Sequence, residues 1–115
     1  MRSLFLSVFL LLFLGSMAQQ HYLFIGTYTH TGSKGIYVYR FDAATGKTEW
    51  VSNTEGIVNP SYLALSADGN HVYAVNETGG ENPGQVSAFA FDKKNGTLQL
   101  LNQQPAGGDA PCYIS

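Results

Sequence analysis

Phe41-Asp42 stands just ahead of Thr45-Gly46, and fifty residues later Phe91-Asp92 stands just ahead of Asn95-Gly96. His21 matches His71 at the same offset, each opening an apolar run. Asn59-Pro60-Ser61-Tyr62 corresponds to Ala110-Pro111-Cys112-Tyr113 one residue further out. Several matches in constant register do not arise by chance as easily as a single repeated motif. A period near fifty that holds four short strands is the size of one β-propeller blade.

The segments inside the period support that reading. Tyr22–Ile25, Gly35–Phe41, Glu49–Ser52, Ser61–Leu65, His71–Val75, Gln85–Phe91, Leu98–Leu101 and Pro111–Ser115 are rich in β-branched and aromatic residues. Turn-forming residues separate them, and none shows helical periodicity. The fold class is therefore all-β, built from four-stranded antiparallel blades. With strands lettered A to D from the axis outward, residues 22–52 hold B, C and D of a first blade. Residues 61–103 hold a complete second blade, and residues 111–115 begin strand A of a third. About 1.75 blades cannot close a ring, which takes at least four. The expectation is that residues 19–115 form the amino-terminal part of a larger propeller.

Two kinds of connection alternate along the chain. Asp42–Lys47, Ser66–Asn70 and Asp92–Gly96 are tight polar turns. Gly26–Lys34, Asn53–Asn59, Asn76–Gly84 and Gln103–Ala110 are longer. Strand alternation puts these four at one rim, where a rigid scaffold presents its functional side chains.

Composition limits what that rim can do. The 115 residues carry 6 Lys+Arg against 8 Asp+Glu, a formal charge of −2, so no basic surface exists to hold nucleic acid. The single cysteine excludes an internal disulfide framework and Cys-based zinc sites, and no metal-ligand spacing occurs elsewhere. No cofactor motif is present; Gly79-Gly80 and Gly107-Gly108 neither open a helix nor carry the lysine of a phosphate-binding loop.

Residues 1–18 read as a cleavable secretory signal. Arg2 supplies the positive start, Leu4–Leu14 the apolar run, and Ser16-Met17-Ala18 the small residues of a cleavage site. As a helix the run would span roughly 16 Å, too short to anchor in a bilayer. The expected location is secreted or periplasmic, with no membrane anchor.

The ordered series Gly26-Thr27-Tyr28-Thr29, Asn59-Pro60-Ser61-Tyr62-Leu63, Val72-Tyr73-Ala74-Val75-Asn76-Glu77 and Gly84-Gln85-Val86-Ser87-Ala88-Phe89 resembles the lactonase family of seven-bladed propellers. Leu101 through Gly108 to Pro111-Cys112 continues the resemblance. It implies a substrate pocket at one mouth of the central channel and hydrolysis of a sugar lactone to its aldonic acid. The lactone would be 6-phosphogluconolactone or an unphosphorylated aldonolactone, and the complete ring a monomer. The His and Arg residues associated with catalysis in such relatives lie in later blades, beyond Ser115.

Two other readings stay open. A lactone-forming cyclase shares the fold. A non-catalytic secreted propeller that binds a carbohydrate or protein partner fits the YVTN-like stretch Val72–Asn76.

Lactone hydrolysis needs an activated water and stabilisation of the carbonyl oxyanion. The rim offers Glu77, Glu81, His30, Asp109, Asn59 and Asn76, with Lys34 its sole cation. Glu77, just after a B strand, is the candidate base or hydroxyl acceptor, and Asn76 the candidate substrate contact beside it. Each also has a bland reading as a loop-binding side chain. His30 reads as a solvated loop histidine, His21 and His71 as structural, and Cys112 as a buried strand residue. With one rim cation, no phosphate clamp can be assembled from these residues, which favours an unphosphorylated lactone.

Overall fold

The computed structural model describes residues 20–115, so the proposed signal, residues 1–18, lies outside the described residues. Seven strands follow one another: β1 (Gln20–Ile25), β2 (Ile36–Asp42), β3 (Thr48–Thr54), β4 (Pro60–Leu65), β5 (His71–Asn76), β6 (Gln85–Asp92) and β7 (Thr97–Pro105). They form two antiparallel sheets, one in the order β1-β2-β3 and one in the order β4-β5-β6-β7. These are the three-stranded and four-stranded blades that the repeat predicts.

The repeat extends to backbone detail. The pairing of β2 with β3 slips between Val38 and Tyr39, and that of β6 with β7 slips between Ala88 and Phe89. Each slip leaves one extra residue on the outer strand, a β-bulge that increases the local twist. The tight turns repeat as well. The Asp42 carboxylate accepts from the Ala44 N–H, and that of Asp92 accepts from Lys94 and Asn95. In both turns the closing glycine donates its N–H to the aspartate carbonyl, with φ of 73° at Gly46 and 70° at Gly96.

Alternation decides which side chains lie between the blades. Tyr22 and Phe24 of β1 turn towards the second blade and pack edge-on against Phe91, each with ring centroids 4.9 Å apart. Ile36, Ile57, Val72, Ala74 and Phe89 form the buried cluster, with Leu63 and Leu98 packed against it. Leu23 and Ile25 point the other way and remain exposed. At the tight-turn end, Tyr22 donates its hydroxyl to the Lys93 carbonyl and Ser52 donates to the Gly96 carbonyl. The two blades are thus one packed unit.

Most strand boundaries shift by a residue or two from the sequence reading, and a few differences have a clear cause. Residues 111–115 are not a strand, because no described strand offers them a hydrogen-bonding partner and β structure exists only in pairs. Strand β7 runs on to Pro105, which pairs with Gln85 at the outer edge, where a missing N–H costs no ladder bond. Strand β3 likewise takes in Asn53 and Thr54.

Candidate functional site

The long connections converge at one end, as strand alternation requires. Thr29, in the loop after β1, donates its backbone N–H to Asn59 Oδ1 at 2.9 Å, although 30 residues separate them. Asn59 Nδ2 donates to the Glu77 carbonyl at 3.2 Å, and the Asn59 carbonyl accepts from the N–H groups of Ser61 and Glu77. Asn59 therefore ties the first-blade loop to strands β4 and β5 of the second blade. Its amide is spent on the backbone, so its place on the rim is that of a clip.

The clip brings three side chains together. Tyr28 donates its hydroxyl to Glu77 Oε2 at 2.7 Å, and Ser61 donates to the same oxygen at 2.6 Å. Tyr28 comes from the first-blade loop, Ser61 from the start of the innermost strand β4, and Glu77 from the end of β5. The two hydroxyls, Ser61 first and Tyr28 second, hold the Glu77 carboxyl below its ordinary value of 4.5. The same bond, together with the nearby carboxylate charge, pushes the Tyr28 phenol above its ordinary 10.0. At neutral pH Glu77 is an anion and Tyr28 a hydroxyl donor.

The other candidates divide clearly. Asn76, 3% exposed, donates to the Val58 carbonyl at 2.8 Å and accepts from the Ser87 hydroxyl, which in turn accepts from Gln103 at 2.9 Å. Its amide thus has partners at both ends. His30 is exposed, with its ring 5.8 Å from that of Tyr28. Asp109 caps the opposite loop by accepting from the Gly80 N–H at 3.3 Å, and Glu81 is exposed. Cys112 is exposed, not buried in a strand, because residues 111–115 pair with no described strand.

Cations are scarce here. Lys34 is bound to Glu55 at 3.2 Å, while Lys93 at the opposite end donates to the Asp68 carbonyl. A cleft of about 320 Å³ between the long connections is lined by residues including Val58, Thr78, Asn82, Gln85 and Gln103, none of them charged. Among the described residues, no three His, Cys, Asp or Glu side chains gather as a metal site.

Tyr28 and Ser61 were not singled out by sequence reasoning. Both types are ordinary in strands and loops. The available signal was their position inside Gly26-Thr27-Tyr28-Thr29 and Asn59-Pro60-Ser61-Tyr62, the segments that carry the family resemblance.

Two sheets of this topology, packed face to face with their long loops at one end, define a propeller-type chain. Residues 22–115 match the family model described as lactonase, seven-bladed β-propeller, and the chain belongs to that family.

Solved structures agree. A candidate 6-phosphogluconolactonase of Bacteroides fragilis superposes with a TM-score of 0.81 at 48% identity, over 87% of this chain and 28% of that one. The periplasmic gluconolactonase of Pseudomonas aeruginosa gives a TM-score of 0.72 at 35% identity, over 80% of this chain and 26% of that one. The 6-phosphogluconolactonase of Formosa agariphila is 34% identical over 93 residues, 80% of this chain and 26% of its own length. The chain spans about a quarter of the length of these relatives.

Proposed function

We propose that this chain supplies the first blades of a seven-bladed lactonase that hydrolyses a sugar lactone to the aldonic acid. Family membership and the names of its relatives support the reaction class. In this reading Glu77 contacts the substrate at the rim, and Asn76 sits behind it, bracing the end of β5. The remaining catalytic groups belong to other blades.

The substrate is an unphosphorylated lactone. The observation that carries this is electrostatic: the rim presents an ionised Glu77, and its cation, Lys34, is tied to Glu55. A phosphate would meet a carboxylate here and no clamp. Two further points support the reading: the apolar run and small-residue site within residues 1–18, which we read as a secretory signal, and a relative named as a periplasmic gluconolactonase. Among the described residues no helix is long and apolar enough to cross a membrane.

The test is kcat/KM of the full-length protein for glucono-δ-lactone and for its 6-phosphate. A preference of tenfold or more for the neutral lactone, about 1.4 kcal/mol in transition-state binding, is expected. The reverse preference overturns the substrate class. Hydrolysis of neither would overturn the lactonase reading in favour of a binding propeller. Amino-terminal sequencing of the exported protein should begin at Gln19.

A further inference from the structure

The hydrogen-bonding capacity of the Tyr28–Ser61–Glu77 cluster can be counted. A hydroxyl has one proton and two lone pairs, and a carboxylate has lone pairs only. Both hydroxyl protons go to Glu77 Oε2. Glu77 Oε1 accepts no hydrogen bond from the described residues, and the lone pairs of Tyr28 Oη and Ser61 Oγ remain available. What the cluster offers a ligand is therefore acceptors alone, carrying one negative charge. Such an array disfavours an anion and suits adjacent O–H donors. The Tyr28 ring is 46% exposed beside it, giving an apolar face against which the C–H edge of a ring can lie.

We propose that Tyr28, Ser61 and Glu77 form a subsite for adjacent hydroxyl groups of a neutral polyol ring, and that this subsite rejects the carboxylate formed when the ring opens. The inference deepens the lactonase reading and rests on it. In hydrolysis the oxygen of water bonds to the lactone carbonyl carbon and the ring C–O bond breaks. The ring oxygen takes up a proton to become a hydroxyl. The new carboxylic acid then loses its proton to solvent, so a neutral substrate becomes an anionic product. A fixed carboxylate in an acceptor-only cluster discriminates between them in the useful direction: it holds the hydroxyls of the lactone and weakens binding of the aldonate. Glu77 thus acts in binding and product release, with the Ser61 and Tyr28 hydroxyls holding its carboxylate in the charged form.

The experiment is calorimetric titration of the full-length protein with two probes: glucono-δ-lactam, a neutral ring that is not hydrolysed on the assay timescale, and gluconate. The wild type should bind the lactam at least tenfold more tightly than gluconate. Glu77→Gln keeps the shape but removes the charge; it should weaken the lactam about fivefold or more and bring the two affinities together. Tyr28→Phe, which loses one oxygen, should weaken the lactam threefold to tenfold without strengthening gluconate. Cooperative melting close to wild type would show that both variants fold. An unchanged lactam-to-gluconate ratio in folded Glu77→Gln overturns the subsite while leaving the lactonase reading intact. The expected ratios in a protein that does not hydrolyse glucono-δ-lactone would sustain the subsite and overturn the reaction.

Discussion

Asn59 and Ala110 occupy the same left-handed backbone conformation, with φ of 43° and 48°, at the same point of two successive repeats. Each precedes a proline, a position that disfavours the right-handed helical region. Asn59 lies where the chain passes from β3, the outer strand of the first sheet, to β4, the inner strand of the second, and Ala110 follows β7, the outer strand of the second sheet. The two residues hold that conformation differently. Asn59 accepts from the Thr29 N–H and donates to the Glu77 carbonyl, whereas Ala110 relies on its own N–H, which donates to the Thr78 carbonyl at 2.7 Å.

The difference sets up a paired mutational test. Asn59→Ala removes the side-chain bonds and leaves a Cβ in a strained region, so it should cost about 2 kcal/mol. Ala110→Gly relieves strain of about 1 kcal/mol but gives the unfolded chain more freedom by a similar amount. Its stability should stay within about 0.5 kcal/mol of wild type. Urea denaturation of the full-length protein measures both, and equal losses would contradict the clip assigned to Asn59.

Close approach of backbone segments gives a second prediction. A Cβ on Gly26 would overlap the Pro60 carbonyl oxygen, and one on Gly84 would overlap the Pro111 ring, whereas one on Gly108 would meet nothing within 4 Å. Gly26→Ala and Gly84→Ala should each destabilise by about 2 kcal/mol or more, since backbone and a rigid ring cannot move aside. Gly108→Ala should be close to neutral by the same denaturation measurement.

Much of this architecture is legible in the sequence because it rests on local chemistry repeated in register. The Asp42 and Asp92 turns, the strand runs and the end at which the long loops gather all follow from residue type and alternation. The paired bulges do not, because Val51 and Leu101, the residues left over opposite β2 and β6, are ordinary strand residues. The Tyr28–Glu77 bond spans 49 residues and exists only once two sheets have packed, so no local pattern announces it. Residues 111–115 failed as a strand for the complementary reason: composition marks a β-prone segment, but pairing makes a strand.

The acid limb of stability should carry the signature of the Ser66–Asn70 turn. Asp68 accepts from the Ser66 hydroxyl and the Asn70 N–H, which pull its carboxyl from 3.8 to about 2. The folded-state pKa is depressed, so the stabilisation is present above pH 3.8 and is lost as pH falls towards 2. Asp68→Asn should therefore melt below wild type at pH 5, and the gap should narrow as pH is lowered through that window. A gap that widens on acidification would contradict the assignment.

Asn76 and Ser87 give the last prediction, because both lie inside the second blade and neither is open to solvent, at 3% and 0% exposure. Ser87 donates to Asn76 Oδ1 and accepts from Gln103 Nε2, so its one hydroxyl satisfies partners on two neighbouring strands. Ser87→Ala would leave the buried Asn76 oxygen without its side-chain partner, at a cost of about 1–3 kcal/mol. Asn76→Ala should cost at least as much, because it also frees the Val58 carbonyl and strands the Ser87 proton. The double variant is the informative measurement. If the two side chains act as one buried network, its loss should fall short of the sum of the single losses by 0.5 kcal/mol or more. Additive losses would mean that Asn76 and Ser87 contribute independently and that their bond adds nothing.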